Sequence, residues 1–355
     1  MDEQKNIQDI LQHVSQPGFC VRDGSIVSIN HSAQALLLAE GDAVQPLLHT
    51  GAEEYASFKD GQLYLTLTIC GQPHNATVTR IRDLDLFLLD PVKEAEEFRA
   101  MALVSMELRG SLMRLMSSAE QLLEDQDLTD PEKSSHAAQM NRSLHQMMRL
   151  ACNLSDVSRY AAASRKETRD VDSFLEALFE KAGAFTEDKG ISLTYEGLRQ
   201  PLFSQIDPEQ LERAVWNILS NSIKFMPQGG SIHARLTRHG SKLQLCIQDT
   251  GSGIAQSVKA SLFHRYLRQP GIEDSRFGLG LGMVIIRTAA ANHGGTVLID
   301  RCGETGTRLT MTLTISQDPG NQLRSPILRP DYTGGWDHGL LELSDSLSES
   351  KYREI

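Results

Sequence analysis

Three side chains on one predicted helix are suited to binding a metal ion or a phosphate. Asn217, Asn221 and Lys224 follow one another at i, i+4 and i+7 within the segment 208–225, a spacing that places them on one face of an α-helix. Taken alone, this triple is more simply interpreted as a solvated polar face. Glycine-rich segments further along the chain favour a binding site instead.

The first of these segments, DTGSGI, begins at Asp249 and follows the predicted strand 243–248. Its glycines, Gly251 and Gly253, let the backbone approach a flat ligand closely. The carboxylate of Asp249 can accept a hydrogen bond from an exocyclic amine such as that of adenine. A tight turn without any ligand explains this segment equally well on its own.

The second segment contains three alternating glycines, Gly278, Gly280 and Gly282, at the start of an apolar helix that is predicted to run to Ala291. Backbone amides at a helix start can cradle a phosphate. The pattern is neither the dinucleotide fingerprint GxGxxG nor a P-loop, since no GK[ST] follows. Each glycine segment is weak evidence alone.

The charge distribution excludes one class of ligand and favours another. The net charge of −11 argues against a nucleic-acid-binding protein, which needs a basic surface. Residues 1–90 carry five bases and twelve acids, and residues 318–355 carry four bases and seven acids. Residues 191–317, by contrast, carry thirteen bases and nine acids, so an anionic small molecule is favoured there.

Neither a membrane span nor a disulfide framework is predicted. No window approaches the roughly 20 apolar residues that a span requires, and the segment MDEQKNIQDI lacks the features of a signal peptide, so we expect a cytoplasmic protein. The five cysteines are scattered and form no CxxC motif. We expect reduced thiols, mostly buried.

Residues 1–90 show the pattern of a small antiparallel sheet with short helices on one side. Asp23-Gly24 between two apolar runs is a strong hairpin signal. The predicted strands are 18–21, 25–29, 63–70, 76–82 and 84–89, and the predicted helices are 32–38 and 55–58. This order resembles a PAS sensory domain, which we expect as an input domain at 1–90.

Residues 91–162 are predicted to form an antiparallel helical hairpin. Apolar residues recur at alternating spacings of three and four from 92 to 124, and Pro131 marks the first turn of a second helix that runs to about Tyr160. Such a hairpin cannot bury two apolar faces alone, so we expect a homodimer with a four-helix bundle. Residues 161–170 are interpreted as a linker.

Beyond the linker, the pattern predicts a mixed α/β domain at 163–317, and the overall fold class is α+β with several domains. The predicted helices are 171–189 and 208–225, and the predicted strands are 192–195, 231–238, 242–249, 295–300 and 308–315. The acidic tail 318–355 is expected to be a poorly packed appendage, although Trp336 and Leu340 could dock on a domain.

The order of these motifs resembles that of sensor histidine kinases in the GHKL ATPase superfamily. The matching segments, between about 92 and 315, are ERAVWNILSNSIKF, DTGSGI, LFHRYLR, FGLGLGMVII, HGGTVLI and GTRLTMTL. The resemblance implies a Bergerat-type α/β sandwich that binds ATP and Mg²⁺.

The resemblance also implies roles for individual residues. Asn217 and Asn221 would hold Mg²⁺ and phosphates, Lys224 would reach a phosphate, and Asp249 would read adenine. The remaining residues would shape the nucleotide pocket and its lid: Gly251, Gly253, Gly278, Gly280, Gly282, Phe263, Arg265, Arg268 and Thr307.

The resemblance fails where the family carries its phosphoacceptor histidine. The family box SHELRTPL aligns with SMELRGSL, which begins at Ser105. Met106 replaces the histidine, and a thioether cannot form a phosphoramidate, so phosphoryl transfer to this side chain is excluded. Glu107, the family's general base, has no imidazole to polarise. His136 and His145 on the second helix are better interpreted as ordinary surface or seam residues.

The sequence is compatible with three functions. The chain is expected to bind Mg·ATP without conventional autophosphorylation and to signal through conformation or docking. Alternatively, it hydrolyses ATP or phosphorylates a partner in trans. A third alternative is a nucleotide-gated scaffold that sequesters a response regulator. The expected partners are a response-regulator receiver domain or another histidine kinase.

Overall fold

A computed structural model of the chain divides it into two compact units. The first unit takes its described residues from 1–93, 235–276 and 290–315, and the second unit takes them from 94–234, 277–289 and 316–355. The structure describes residues 16–81, 83–89, 130–159, 165–226, 229–253, 281–302, 305–316 and 335–353, together with residues 11, 14, 108, 111, 112, 114, 115, 118 and 119.

The N-terminal part of the first unit is an antiparallel sheet with short helices, as the sequence predicts. Its strands are β1 (Gly18–Arg22), β2 (Ser25–Ile29), β3 (Gln62–Ile69), β4 (Gln72–Ile81) and β5 (Leu84–Leu89), and its helices are α1 (His31–Gln34) and α2 (Ala52–Ser57). Asp23 and Gly24 join β1 to β2 with φ angles of 49° and 78°, the left-handed conformation that an Asp-Gly hairpin adopts.

Both faces of this sheet are buried. Phe19 stacks on Phe87 with ring centroids 4.8 Å apart on one face, while Cys20 and Leu86 belong to a separate apolar cluster. The alternation along β1 follows the period of two that a strand imposes. The predicted helix 32–38 is too long, because α1 ends at Gln34 and Leu37 has a φ of 59°. The PAS assignment itself stays a prediction.

The C-terminal part of the first unit extends the same sheet. It contains β10 (Lys242–Asp249), β11 (Val297–Cys302) and β12 (Gly306–Thr314), with β12 antiparallel to both of the others. β11 also pairs with β3, with Val297 opposite Tyr64. The strand order is therefore β2-β1-β5-β4-β3-β11-β12-β10. The predicted strand 242–249 is confirmed. The strand predicted at 295–300 is observed as β11, which begins two residues later than predicted, at Val297.

The second unit is built around three long helices. These are α3 (Asp130–Arg159), α4 (Val171–Thr186) and α5 (Pro208–Lys224), accompanied by β6 (Glu167–Asp170), β7 (Ile191–Glu196) and β8 (Phe203–Ile206). The strand β9 (Gly230–His239) and the helix α6 (Leu281–Asn292) have residues in both units. β6 pairs with β8, so the interpretation of 161–170 as a linker is wrong for residues 167–170.

The helical hairpin is antiparallel, as predicted. The residues described between 108 and 119 are helical. Arg114 Nη2 donates to Gln146 Oε1 at 3.0 Å, and Ser118 Oγ donates to Gln139 Oε1 at 2.9 Å. The partner number on α3 falls as the number on the first helix rises, so the two helices run in opposite directions. Among the described residues, no helix is long and apolar enough to cross a bilayer.

The C-terminal segment 335–353 is well packed, which corrects the expectation of a poorly packed tail. It contains the short helix α7 (His338–Glu342) and a 3-10 turn at Glu349–Tyr352. α7 contacts α3, α4 and α5. Its buried apolar side chains are Leu341, Leu343, Leu347 and Tyr352. Residues 318–334 of the predicted tail lie outside the described residues.

Candidate functional site

Helix α5 holds its polar side chains on a rigid, buried support. The Asp207 side chain caps the helix by accepting a hydrogen bond from Gln210 N at 3.1 Å, and Pro208 occupies the first turn. The predicted apolar face is confirmed as buried: Leu211, Val215, Ile218, Leu219 and Ile223. The opposite face therefore presents Asn217, Asn221 and Lys224 in fixed register.

Asn217 has a defined side-chain orientation. Its side chain is 2% exposed, and Nδ2 donates to Arg213 O at 2.8 Å. Oδ1 accepts a hydrogen bond from Arg149 Nη2 on α3 at 3.4 Å. One turn further along, Asn221 is exposed and Lys224 is half-buried. The face shared by Asn217, Asn221 and Lys224 is here called the polar ridge. It begins with a fixed amide and continues into side chains that solvent can reach.

Helix α6 begins directly against this ridge. A Cβ added to Gly282 would lie 2.8 Å from Asn217 Oδ1 and 3.6 Å from its Cγ. Glycine at 282 therefore permits a close approach that any other residue would obstruct. Since the first N–H groups of a helix have no partner within it, the start of α6 brings a partial positive charge next to the Asn217 amide.

Asp249 lies at the end of β10 in the first unit and anchors a turn. Its side chain is buried, and Oδ1 accepts hydrogen bonds from Gly251 N at 3.0 Å and Thr307 N at 3.2 Å. These two backbone donors orient the carboxylate. The structure thereby brings together three of the predicted site residues: Asp249, Gly251 and Thr307.

The glycines of this turn are required by close backbone contacts. Gly253 has a φ of 71°, and a Cβ there would lie 2.0 Å from Thr305 O. A Cβ on Gly306 would lie 2.2 Å from Asp249 O. The segment DTGSG is therefore a tight turn packed against the loop that precedes β12, and its glycines keep the Asp249 carboxylate in place.

Seven predicted site residues fall on the part of the chain that the structure does not describe. They are Met106, Glu107, Phe263, Arg265, Arg268, Gly278 and Gly280. The lid and the aligned phosphoacceptor position therefore stay predictions from the sequence.

A buried ionic network adjoins Asn217, and sequence reasoning missed it. Arg213 and Glu342 have side chains that are 1% and 0% exposed, and Arg213 Nε lies 3.1 Å from Glu342 Oε1. Arg213 Nη2 also donates to Asn153 Oδ1 at 2.6 Å. Arg213 lies four residues before Asn217, which was the available signal, but nothing local in the sequence indicates its partner 129 residues away.

His145 has a structural environment, in agreement with its interpretation from the sequence. It is buried, and Nδ1 donates to Asn141 O at 2.8 Å. Its ring meets Trp336 and Tyr352 edge-on, with centroids 4.5 and 4.9 Å apart. Burial lowers the pKa of His145, so the imidazole is held neutral in this contact.

The cysteines carry free thiols. Cys20 is buried, and burial raises its pKa to about 12. Cys70 is exposed, and Cys152, Cys246 and Cys302 are half-buried. The expectation of mostly buried thiols is therefore wrong for all but Cys20, because Cys152, Cys246 and Cys302 lie on partly covered faces and Cys70 lies in a turn.

Comparisons with known proteins connect these residues to one family. Residues 206–317 match the family model described as "Histidine kinase-, DNA gyrase B-, and HSP90-like ATPase". The chain is similar to the sensor-like histidine kinase SenX3 of Mycolicibacterium smegmatis, with 28% identity over 241 residues, 65% of this chain and 60% of that protein. It is similar to the sensor histidine kinase MtrB of Mycolicibacterium paratuberculosis, with 24% identity over 347 residues, 93% of this chain and 60% of that protein.

The chain thus spans less than two thirds of either relative. Among solved structures, it is similar to the histidine kinase ThkA in complex with the response regulator protein TrrA. That match has 16% identity and a TM-score of 0.46, and it covers 85% of this chain and 96% of that chain.

Proposed function

Since the chain belongs to the sensor histidine kinase family and has that family's GHKL-type ATPase domain at residues 206–317, we propose that it binds Mg·ATP and acts in two-component signalling. The observation that carries this proposal is the close approach of Gly282 to Asn217 Oδ1. It places the start of a helix, which favours anions, beside a fixed amide oxygen.

The residues present fit a magnesium nucleotide. The amide oxygens of Asn217 and Asn221 are hard ligands of the kind that Mg²⁺ accepts, and Lys224 supplies a cation for a phosphate. When bound, Mg²⁺ would neutralise and orient the polyphosphate. The glycine at 282 keeps the side of Asn217 Oδ1 clear of a side chain. Gly278 and Gly280 are proposed to continue this phosphate-binding segment.

Asp249 is proposed to recognise the adenine ring. Its carboxylate is oriented by Gly251 N and Thr307 N through Oδ1, and a carboxylate accepts hydrogen bonds only, which suits the exocyclic amine of adenine. Phe263, Arg265 and Arg268 are proposed to form the lid.

We further propose that the chain does not autophosphorylate in the family's usual way. Met106 occupies the aligned phosphoacceptor position, and its thioether cannot carry a phosphoryl group on nitrogen. Glu107 then has no imidazole to activate. We therefore propose a pseudokinase that signals through nucleotide-dependent conformation. The alternative is a protein that hydrolyses ATP or transfers its phosphoryl group to a partner protein.

The partner of the hairpin is proposed to be a second copy of the chain. Leu112 and Leu144 are 45% and 40% exposed, one on each helix of the hairpin. Covering such residues in a four-helix bundle would bury apolar area that the single chain leaves in water. A response-regulator receiver domain or another histidine kinase is the proposed signalling partner. The cytoplasmic location and the PAS-type input stay predictions.

Titration of the full-length protein with a fluorescent ATP analogue tests the binding site. We expect Asn221→Ala to weaken binding by about tenfold or more in the presence of Mg²⁺, roughly 1.4 kcal/mol, and to have little effect in EDTA. Asn75→Ala, an exposed amide in β4, is the matched control and should leave binding unchanged. Equal affinities for the wild type and Asn221→Ala would contradict the metal assignment.

Incubation with γ-labelled ATP tests the second part. Unlabelled protein that nonetheless binds ATP is the expected result. An acid-labile phosphate on the chain would overturn the pseudokinase proposal. Steady-state ADP release, or label on an added partner protein, would establish the alternative.

A further inference from the structure

The C-terminal segment 335–353, here called the C-terminal clamp, covers the start of the polar ridge on α5. His338 Nδ1 lies 2.9 Å from Glu212 Oε1, and Ser346 Oγ donates to Ser220 O at 3.0 Å. These contacts lie on either side of Asn217 along the helix. The clamp also reaches α3, where Arg142 Nε donates to Ser344 O at 2.9 Å.

The clamp supplies two carboxylates that fix Arg149. Arg149 Nη1 lies 2.6 Å from Asp345 Oδ2, and Arg149 Nε lies 3.4 Å from Glu342 Oε2. Glu342 is itself held by Arg213. The long, flexible side chain of Arg149 is thereby held in place by carboxylates of the clamp.

In this position the guanidinium of Arg149 contacts the predicted metal-binding residue. Arg149 Nη2 donates to Asn217 Oδ1 at 3.4 Å, while the Asn217 Nδ2 group is already committed to Arg213 O. Oδ1 is the atom that would bind Mg²⁺. Two cations at hydrogen-bond or coordination distance from the same oxygen repel each other strongly in a buried setting, so Arg149 and Mg²⁺ compete for it.

We infer that the C-terminal clamp is an autoinhibitory contact: it holds Arg149 on Asn217 Oδ1 and so weakens Mg·ATP binding until the clamp is released. This inference rests on the proposed function of Asn217. Because coupling between two binding events is reciprocal, Mg·ATP in turn favours release of the clamp from α3 and α5. A partner that binds the clamp would then act as an activator of nucleotide binding.

Nucleotide titration of the full chain with Arg149→Met tests the inference. Methionine keeps the apolar stem of the side chain and removes the cation. We expect Mg·ATP to bind at least about fivefold more tightly than to the wild type, the lower end of typical coupling factors. In EDTA the two proteins should bind ATP equally, because the competition is with the metal ion. A purely structural role for Arg149 would not produce this magnesium dependence.

Arg142→Met is the matched control, since Arg142 lies on the same helix and also binds the clamp but not Asn217. Its effect on the affinity for Mg·ATP should be smaller than that of Arg149→Met.

The remaining outcomes separate the two proposals. Unchanged or weaker Mg·ATP binding by Arg149→Met, with binding by the wild type intact, would overturn the clamp while the proposed function stands. Weaker binding would assign Arg149 to the phosphates instead. If neither the wild type nor any variant binds Mg·ATP, the proposed function fails, and the autoinhibitory role fails with it.

Discussion

Two regions join distant parts of the sequence by different physical means. In the first unit, β3 pairs with β11 through residues 62–64 and 297–299, here called the sheet junction. In the second unit, the C-terminal clamp joins α3 and α5 through the charged groups of Glu342, Arg213 and Arg149. The sheet junction is made by backbone, and the clamp is made by side chains.

Charged pairs in the two units differ in burial. In the first unit, outside the sheet junction, Lys242 Nζ lies 2.6 Å from Glu54 Oε1, with side chains 26% and 18% exposed. The Arg213–Glu342 pair in the clamp is almost fully buried. Solvent reaches the first pair in part and screens it, whereas loss of one partner of the second pair leaves a fully buried charge without its counter-charge.

This difference determines what each junction tolerates. Backbone pairing survives most side-chain changes but not a group that intrudes between the strands. In the clamp, loss of the buried Glu342 carboxylate is costly, whereas loss of an exposed carboxylate such as that of Glu349 is not. The inferred release of the clamp therefore requires new partners for its buried charges.

The largest expected effect is that of Glu342→Ala on the clamp. Removing the carboxylate leaves Arg213 buried without its ion partner, which costs about 3 to 5 kcal/mol. The protein's two tryptophans, Trp216 and Trp336, both belong to the second unit. Urea unfolding followed by tryptophan fluorescence therefore reports on this unit, and its midpoint should fall sharply.

Glu349→Ala is the control for this prediction. Glu349 also lies in the clamp and pairs with Arg142 at 3.7 Å, but its side chain is largely exposed. Its loss should cost less than about 1 kcal/mol. Similar losses for the two variants would show that burial does not distinguish the charges of the clamp.

The next effect concerns the sheet junction and uses a pair of glycines. Gly61 has a φ of 97°, and a Cβ there would lie 2.1 Å from Ile299 O on β11. Gly71 has a φ of 76° and no atom within 4 Å of such a Cβ. Both alanine variants incur left-handed strain, but only Gly61→Ala obstructs β11, at an additional cost of about 1 to 3 kcal/mol.

Amide hydrogen exchange of β3 and β11 measures this difference, since the tryptophans do not report on the first unit. We expect Gly61→Ala to lower protection at 62–64 and 297–299, and Gly71→Ala to leave these amides protected. Equal exchange in the two variants would mean that β3 and β11 are not closely paired there.

The sequence predicted those elements whose apolar pattern is local. β5 and β10 were predicted to the residue, because each alternates or runs apolar between clear turn signals. β6 was missed, since its sequence ETRD has no apolar residue and its strand character comes from pairing with β8. The clamp was missed for a related reason. Its apolar segment is short, and its residues are ordered by packing on the helices that they cover, which the local sequence does not indicate.

The same distinction between local and tertiary signals applies to the candidate site. The spacing of Asn217, Asn221 and Lys224 follows from the helical period, so their common face was predictable. The contact of Gly282 with Asn217 is a tertiary approach that a glycine in the sequence can suggest but not locate. Arg149 has no local signal at all, because its position depends on carboxylates about 200 residues later in the chain.

The smallest expected effect is a pH dependence of the clamp that arises from His145. Burial lowers the pKa of His145 below its ordinary value of 6.5. Below pH 6.5 the folded protein therefore binds fewer protons at His145 than the unfolded chain does. The stabilising contribution is fully present above pH 6.5 and is lost as the pH falls towards the lowered pKa. Urea midpoints from tryptophan fluorescence should decrease between pH 7.5 and 5.

Substitutions of single histidines assign this slope. His145→Gln should flatten the pH dependence, whereas His136→Gln on the same helix should retain it. Asp337 faces His145 and opposes the shift, but Lys181 holds the pKa of Asp337 below 3.8, so its own titration lies outside the window. A slope that persists in His145→Gln would show that His145 is not its source and would assign the pH sensitivity to other titratable groups, such as the carboxylates of the clamp.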